Sequence, residues 1–492
     1  MIEKYYDGAI EQVAAGLGTV EKNYLLVRYS GQFSVENLND TKQLEKNEDI
    51  FVQVHEFETG EITCAYEPYL TMICDGFRRY MTGTFEEFME TCDVYYLHRP
   101  VLLGYFNQDN TGREEIILLD EVAYEQERML AALERMLCAI ADRHPVLFVL
   151  NRFQLAPKST MQLTARLLKI ENCNIGLVLG VSDIQAMPEF LVPDWEMLYE
   201  TLDDGSKIYH IGNSGRKKEE IAEDEKYIDY GSEKVYRKLQ NMVEFLDFDQ
   251  AAYYLETIER KIKFDNLLVD DAARFRMWLL FVKVSILRQD IPKALEICED
   301  LEKIHLAGKE EECAYEQDYL IATAYMYQGK LKEALEMAGE TYRIAGKMSD
   351  DYRMFLSELL EAKIQMSGWY NIFFCAQDVK IKESLIQNLI RYNYRNHLAH
   401  VYIYAYDNKP EIVKKANQSE ELLIYFSRGI RIAKKLGNEY LINMAYQKNI
   451  MLSSTNGMYE ISLLYSVRTY EALKDKRSIQ AGRIYSGIAY NL

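Results

Sequence analysis

His397 and His400, three apart in the run HLAH, are the side chains whose spacing comes nearest to a metal site. On a helix that spacing puts two imidazoles on one face, where neutral ring nitrogens ligate divalent cations. Asp407 is the one nearby option for a third ligand, and a half-buried histidine pair without metal fits the stretch better. Asp120-Glu121, directly after the apolar run IILL (116–119), imitates the acidic end of a Mg²⁺-binding strand. A helical pattern begins at once behind it, so Asp120 reads instead as an N-terminal cap or dipole partner. Neither G-x-S-x-G nor H-E-x-x-H occurs. Gly16 and Gly18 precede a strand pattern rather than follow one, which argues against a dinucleotide fingerprint. The expectation is no catalytic residue, no metal and no cofactor.

With 492 residues the chain is too long for one hydrophobic core, so at least two domains are expected. Its formal net charge of −20 disfavours nucleic acid and anionic membrane as partners. Arg216-Lys217-Lys218 is the single run of cations that stands against this. The eight cysteines lie singly, without C-x-x-C, and mostly inside apolar runs. They read as core residues in a reducing compartment. No apolar run approaches the ~18 residues of a membrane span, and the first residues, MIEKYYDGAI, are no signal peptide. A cytoplasmic location is expected.

The first part of the chain, 1–215, alternates short apolar runs with amphipathic stretches. Strands are expected at 23–31, 49–57, 145–153, 174–182 and 207–212, and helices at 66–80, 84–106, 121–142 and 159–170. Near-continuous Val/Leu/Ile strands alternating with helices indicate a parallel sheet covered on both faces. A charged connector, RKKEEIAEDEK, opens the 216–240 region, and 241–492 reads as helices of 12–18 residues with short turns.

Those helices carry a faint internal repeat. The segment 278–297 aligns with 318–337, so that Ala294 and Ala334 correspond, with Ala252 a further 42 residues upstream. Trp278 and Ala294 in one unit, and Ile321, Ala322, Tyr325, Gly329 and Ala334 in the next, resemble the pattern of tetratricopeptide repeats. Small residues at such positions let paired helices approach closely. The resemblance implies a superhelical array whose inner face binds protein or peptide. By helical register that face would present Arg276, Leu279, Lys283 and Ile286 from one unit, and Glu316, Tyr319, Thr323, Met326 and Tyr327 from the next.

An α/β domain joined to such repeats resembles the STAND group of signal-transducing NTPases and related AAA-like regulators. The resemblance implies a P-loop NTPase-like fold, with a phosphate loop after the first strand and acidic residues at the end of a later one. The strand order fits and the chemistry does not. Counting from Gly31, Glu36 stands where a second glycine belongs, Asn37 where a lysine would reach the phosphates, and Leu38 where a hydroxyl would ligate Mg²⁺. A carboxylate at Glu36 turned toward a triphosphate costs several kcal/mol where solvation is poor. Asn151-Arg152 replaces the acidic pair, and an asparagine offers a divalent ion no charge. A generic α/β domain unrelated to NTPases leads to the same expectation.

What the resemblance implies is the non-catalytic sensory and scaffolding region of a bacterial signalling protein, as in repeat-containing diguanylate cyclases or helix-turn-helix activators. It would pass a signal to an output domain beyond Leu492, because Ile484, Tyr485, Ile488 and Tyr490 would otherwise lack a covering helix. Two alternatives stay open. One is a stand-alone repeat scaffold; the other is an active ATPase with an atypical loop, in which Lys42 or Arg152 reaches the phosphates. Titration calorimetry with millimolar ATP–Mg²⁺ and GTP–Mg²⁺ separates the readings. No saturable heat is expected, and a 1:1 isotherm in the micromolar range would sink the degenerate-loop reading.

Overall fold

The computed structural model describes residues 2–17, 24–29, 49–58, 61–109, 115–170, 173–182, 187–202, 208–211, 228–265, 267–367, 382–404, 416–455, 457–472, 485 and 488–489. Packing divides the chain into two bodies, 1–113 with 122–288, and 114–121 with 289–492.

The first body is built on five parallel strands: β1 (Tyr24–Tyr29), β2 (Phe51–Glu56), β3 (Val146–Asn151), β4 (Ile175–Ser182) and β5 (Ile208–Ile211). All five fall inside the stretches expected from sequence. Their order across the sheet is β2-β3-β4-β1-β5. Every residue of β3 and β4 is buried, as continuous apolar runs require when helices cover both faces. From β1 the chain crosses to the far edge, steps back through β2, β3 and β4, and passes over β1 to reach β5. The connections after β1 and β4 therefore leave in opposite directions. In open α/β sheets the crevice outside the carboxyl ends at such a point is where ligands bind.

One face of the sheet is covered by α1 (Ile2–Gly16), whose Ala9, Ile10 and Val13 pack with Leu25, Val27, Leu147, Val149 and Val178. This helix was not among the expected ones, because the polar opening residues hide a stripe only three residues wide. Gly176 on β4 is what admits it. A Cβ there would lie 2.7 Å from Val13 Cγ1 and 3.0 Å from Leu147 Cδ1. Elsewhere in this body, α2 (Tyr69–Tyr80) brings the Tyr69 ring to 4.7 Å from that of Phe148 on β3. The expected helix 84–106 is two helices, α3 (Phe85–Thr91) and α4 (Arg99–Asn107). Left-handed Asp93 (φ +51°) and Pro100 at the start of α4 interrupt the run. The body continues with α5 (Val122–Ala141), α6 (Lys158–Leu167) and α7 (Val192–Leu202).

The connector at 216–226 lies outside the described residues. Beyond it, α8 (Glu233–Glu244), α9 (Phe248–Phe264) and α10 (Asp271–Leu287) belong to the α/β body, so that body runs past 240 to Arg288. Asp247 explains the continuity. Its buried carboxylate accepts from Gln250 N (3.4 Å) at the start of α9 and from Ser159 N (3.0 Å) at the start of α6. Lys158 adds an ion pair to Asp249 at 2.5 Å, and Gln126 Nε2 donates to Leu246 O at 2.9 Å.

The second body is all helical: α11 (Ile291–Leu301), α12 (Glu310–Gln328), α13 (Leu331–Met348), α14 (Asp351–Ser367), α15 (Glu383–Arg391), α16 (Arg395–Tyr404), α17 (Ala416–Leu436), α18 (Glu439–Thr455) and α19 (Tyr459–Ala472). Most successive helices form tight hairpins. Ala334 is fully buried and packs with Ala322 and Met326, as the repeat pattern requires, and Gly329 turns the chain at φ +81°. Residues 481–492 lie outside the description apart from 485 and 488–489. The anticipated architecture, a parallel α/β domain followed by a domain of helical repeats, is the one observed. Among the described residues no helix is long and apolar enough to cross a membrane.

Gly176→Ala is expected to destabilise the α/β body by about 1–3 kcal/mol through overpacking against α1. Gly339→Ala, in α13 with nothing within 4 Å of the added methyl, is expected to stabilise by about 0.5–1 kcal/mol. Urea unfolding of the two variants checks the contrast, and equal effects would refute the close α1 approach.

Candidate functional site

At the switch point the strand ends are tied together by neutral groups. Tyr29, last in β1, donates its hydroxyl to Asn151 Oδ1 at 2.8 Å. Burial pushes the Tyr29 phenol up to about 12, and the bond to Asn151 offsets part of this. Arg152 takes a left-handed conformation (φ +51°, ψ +41°) where β3 ends. Its Nε lies 3.3 Å from Glu56 Oε1 at the end of β2. Gln154 closes the β4 end, donating Nε2 to Ser182 O (3.1 Å) and accepting from Ser182 N (3.4 Å). A nucleotide-bound Mg²⁺ needs anionic oxygen at this rim. Among the described strand-end residues the one carboxylate is Glu56, held by a guanidinium, and the Asn151 carbonyl already accepts a bond. These residues do not fit the ion. Gly31, Glu36, Asn37, Leu38 and Lys42 lie outside the described residues.

A 600 Å³ cavity in the same body is lined by Thr71, Arg78, Tyr105 and Lys238, among others. Behind it, Glu67 accepts from Tyr105 Oη and from Thr71 Oγ1 (2.8 Å), and burial holds its carboxyl above the usual range. Lys238 is bonded to Ile62 O at 2.5 Å and Glu61 at 3.2 Å.

The second body holds a different arrangement. Residues 115–118 form neither helix nor strand, and a 3₁₀ turn follows at Leu119–Glu121. This short stretch of sequence packs among repeat helices that come nearly three hundred residues later. Glu115, 1% exposed, accepts from the backbone N of His397 at 2.8 Å and faces its Nδ1 at 2.7 Å. Burial, and then the charge of Lys363, keep His397 well below the usual histidine range, so the neutral ring donates from Nδ1. Glu121, also 1% exposed, accepts from Asn438 Nδ2 at 3.0 Å. The same amide caps α18 by accepting from Leu441 N at 3.1 Å. Tyr440 donates to Asp120 Oδ2 at 3.3 Å. Burial, and the Asp120 carboxylate after it, raise the Tyr327 phenol, although 37% of that side chain is exposed. Lys363 is lowered to about 8 by burial, against the opposing pull of Glu115, Glu121 and Asp120.

Tyr327, Lys363, His397 and Tyr440 belong to α12, α14, α16 and α18. Those are alternate helices, the ones that a repeat array places along one face. On that face a short acidic stretch of the chain itself is held.

Of the side chains expected on the inner face, Tyr327 reaches this segment. Glu316 pairs with Arg353 at 2.9 Å. Tyr319 and Met326 pack into the core between helices, and Thr323 bonds back to Tyr319 O at 2.8 Å. Arg276, Leu279, Lys283 and Ile286 sit on α10 in the first body, where Arg276 pairs with Glu233 at 2.8 Å and Ile286 is buried. Nearly all of α10 is apolar, so register alone misplaces its outward face. Asp120, read as a cap or dipole partner, bonds Tyr440, and His397, expected as half of a half-buried pair without metal, is fully buried against a carboxylate. Among the described residues no cluster of three metal-ligating side chains exists, and Asp407 lies outside them. His397 was visible in the sequence as half of HLAH. Its partner Glu115 is 282 positions away, beyond any local signal.

No family model and no curated protein matches the chain. Among solved structures it is similar to a Signal Transduction ATPase with Numerous Domains (STAND) protein with a tetratricopeptide repeat sensor from Pyrococcus horikoshii. The two are 12% identical with a TM-score of 0.41, over 98% of this chain and 84% of that one.

The lowered Lys363 ammonium gives a signed pH dependence. Between about 8 and the ordinary 10.5 the unfolded chain binds more protons at this site than the folded one. Stability therefore gains from Lys363 as pH rises through that window, and the full penalty applies below 8. Relative to Lys363→Met, the wild type is expected to gain on the order of 1–2 kcal/mol between pH 7 and pH 10. An unchanged difference in urea unfolding would show that Lys363 is solvated.

Proposed function

We propose that this chain is a non-catalytic binding module with a signalling or regulatory role, in which the repeat helices hold an extended protein segment. On this reading the α/β domain serves as a platform without nucleotide turnover. One observation carries the proposal: a stretch of irregular chain, Glu115–Glu121, is hydrogen-bonded by His397 on α16, by Asn438 at the head of α18 and by Tyr440 on α18, within the electrostatic reach of Tyr327 on α12 and Lys363 on α14. Binding a peptide through side chains along such a face is a use of helical arrays that needs no reacting group. Among the described residues the strand ends support the absence of turnover, since Tyr29 engages Asn151 and Arg152 holds the one carboxylate, Glu56.

The test is selection of peptides from a random display library on the immobilised full chain, run on the wild type and on Glu115→Gln. Selected peptides are expected to bind at micromolar concentration and to weaken at least tenfold on His397→Ala, with no phosphate release from ATP. Peptides indifferent to His397→Ala, or steady ATP hydrolysis, would overturn the proposal.

A further inference from the structure

We propose that the repeat face is specific for peptides of the pattern Glu-(aliphatic)₄-Asp-Glu, and that residues 115–121 are a resident copy which a partner bearing that pattern displaces. The inference rests on the reading of the repeat helices as a binding module and adds the ligand class.

Three observations lead to it. The resident is anchored at its two ends by carboxylates. Glu115 meets His397 through backbone N and Nδ1, while Asp120 and Glu121 meet Tyr440 and Asn438. Between these anchors Leu118 is 6% exposed, and Ile116, Ile117 and Leu119 are half-buried. A face that matches acid at both ends and aliphatic surface between them reads a pattern, not merely a charge. The hold is also carried by side chains, because residues 115–118 join no helix and no sheet. A foreign peptide with the same side chains reproduces it without any change in the repeat backbone. Finally, Lys363 on α14 lies in the field of all three carboxylates, which favours an acidic occupant of this face.

A tethered copy acts at an effective concentration in the millimolar range, so it masks the face until it is weakened or outcompeted. The experiment uses the full chain and a fluorescein-labelled peptide comprising residues 113–122, read by anisotropy. In the chain carrying Glu115→Gln, Asp120→Asn and Glu121→Gln the peptide is expected to bind with a micromolar Kd. The wild type is expected to bind it at least tenfold more weakly. A peptide with its acidic residues changed to amides, or His397→Ala added to the triple variant, is expected to cost a further tenfold or more. Circular dichroism and a cooperative urea transition establish that the triple variant is folded; should it fail, Asp120→Asn alone replaces it. Equal binding by wild type and variant, or indifference to the peptide's acids, overturns the proposal and makes 115–121 a permanent strap. Library-selected peptides that still depend on His397 would then leave the broader binding-module reading standing.

Discussion

A carboxylate taken out of water must be met by donors, and this requirement organises the repeat domain. Glu115 and Glu121 are each about 1% exposed. An unpaired buried carboxylate costs several kcal/mol, far more than the aliphatic surface of so short a segment returns. The donors must therefore be placed before the segment can dock. His397 and Asn438 supply them from positions that the helical array fixes, at the heads of α16 and α18. Asn438 serves two purposes with one amide, capping its own helix and holding Glu121. The helix hairpins thus fold as a repeat for ordinary packing reasons, and their alternate helices acquire a common face toward residues 115–121 as a consequence.

The α/β body shows the opposite solution to the same electrostatic problem. At the switch point of its sheet the strand ends are joined by a phenol–amide bond and a single guanidinium–carboxylate pair. Burial makes such neutral pairing the cheaper arrangement. The result is a well-knit core, extended by Asp247 so that α8 to α10 become part of it. Beside its 600 Å³ cavity, Glu67 accepts from Thr71 and Lys238 donates to Ile62 O.

Much of this was legible in the sequence, and for a local reason. Period-two and period-3.6 burial patterns, the punctuating turns and the small residues Ala294 and Ala334 are written within a few residues of where they act. They placed all five strands and the helix-pair repeat. That Asn151 and Arg152 offer no carboxylate was equally readable, since a residue's type bounds what it can ligate. Register was a poorer guide to the binding face. On α10 and α12 too many positions are apolar for periodicity to separate core from surface, so Met326 and Ile286 were read outward although both are buried.

Sequence alone therefore determined the two classes of domain, the strand positions and the missing charges at the sheet's rim. Which side chains meet was decided by the tertiary structure. Glu115 finds His397 across 282 residues, and Glu121 finds Asn438 across 317. The stretch 115–121 left the neighbourhood of its own sequence for the helices of the repeat. No local propensity encodes that choice, because it follows from the desolvation of acidic groups against donors that only the completed array brings together.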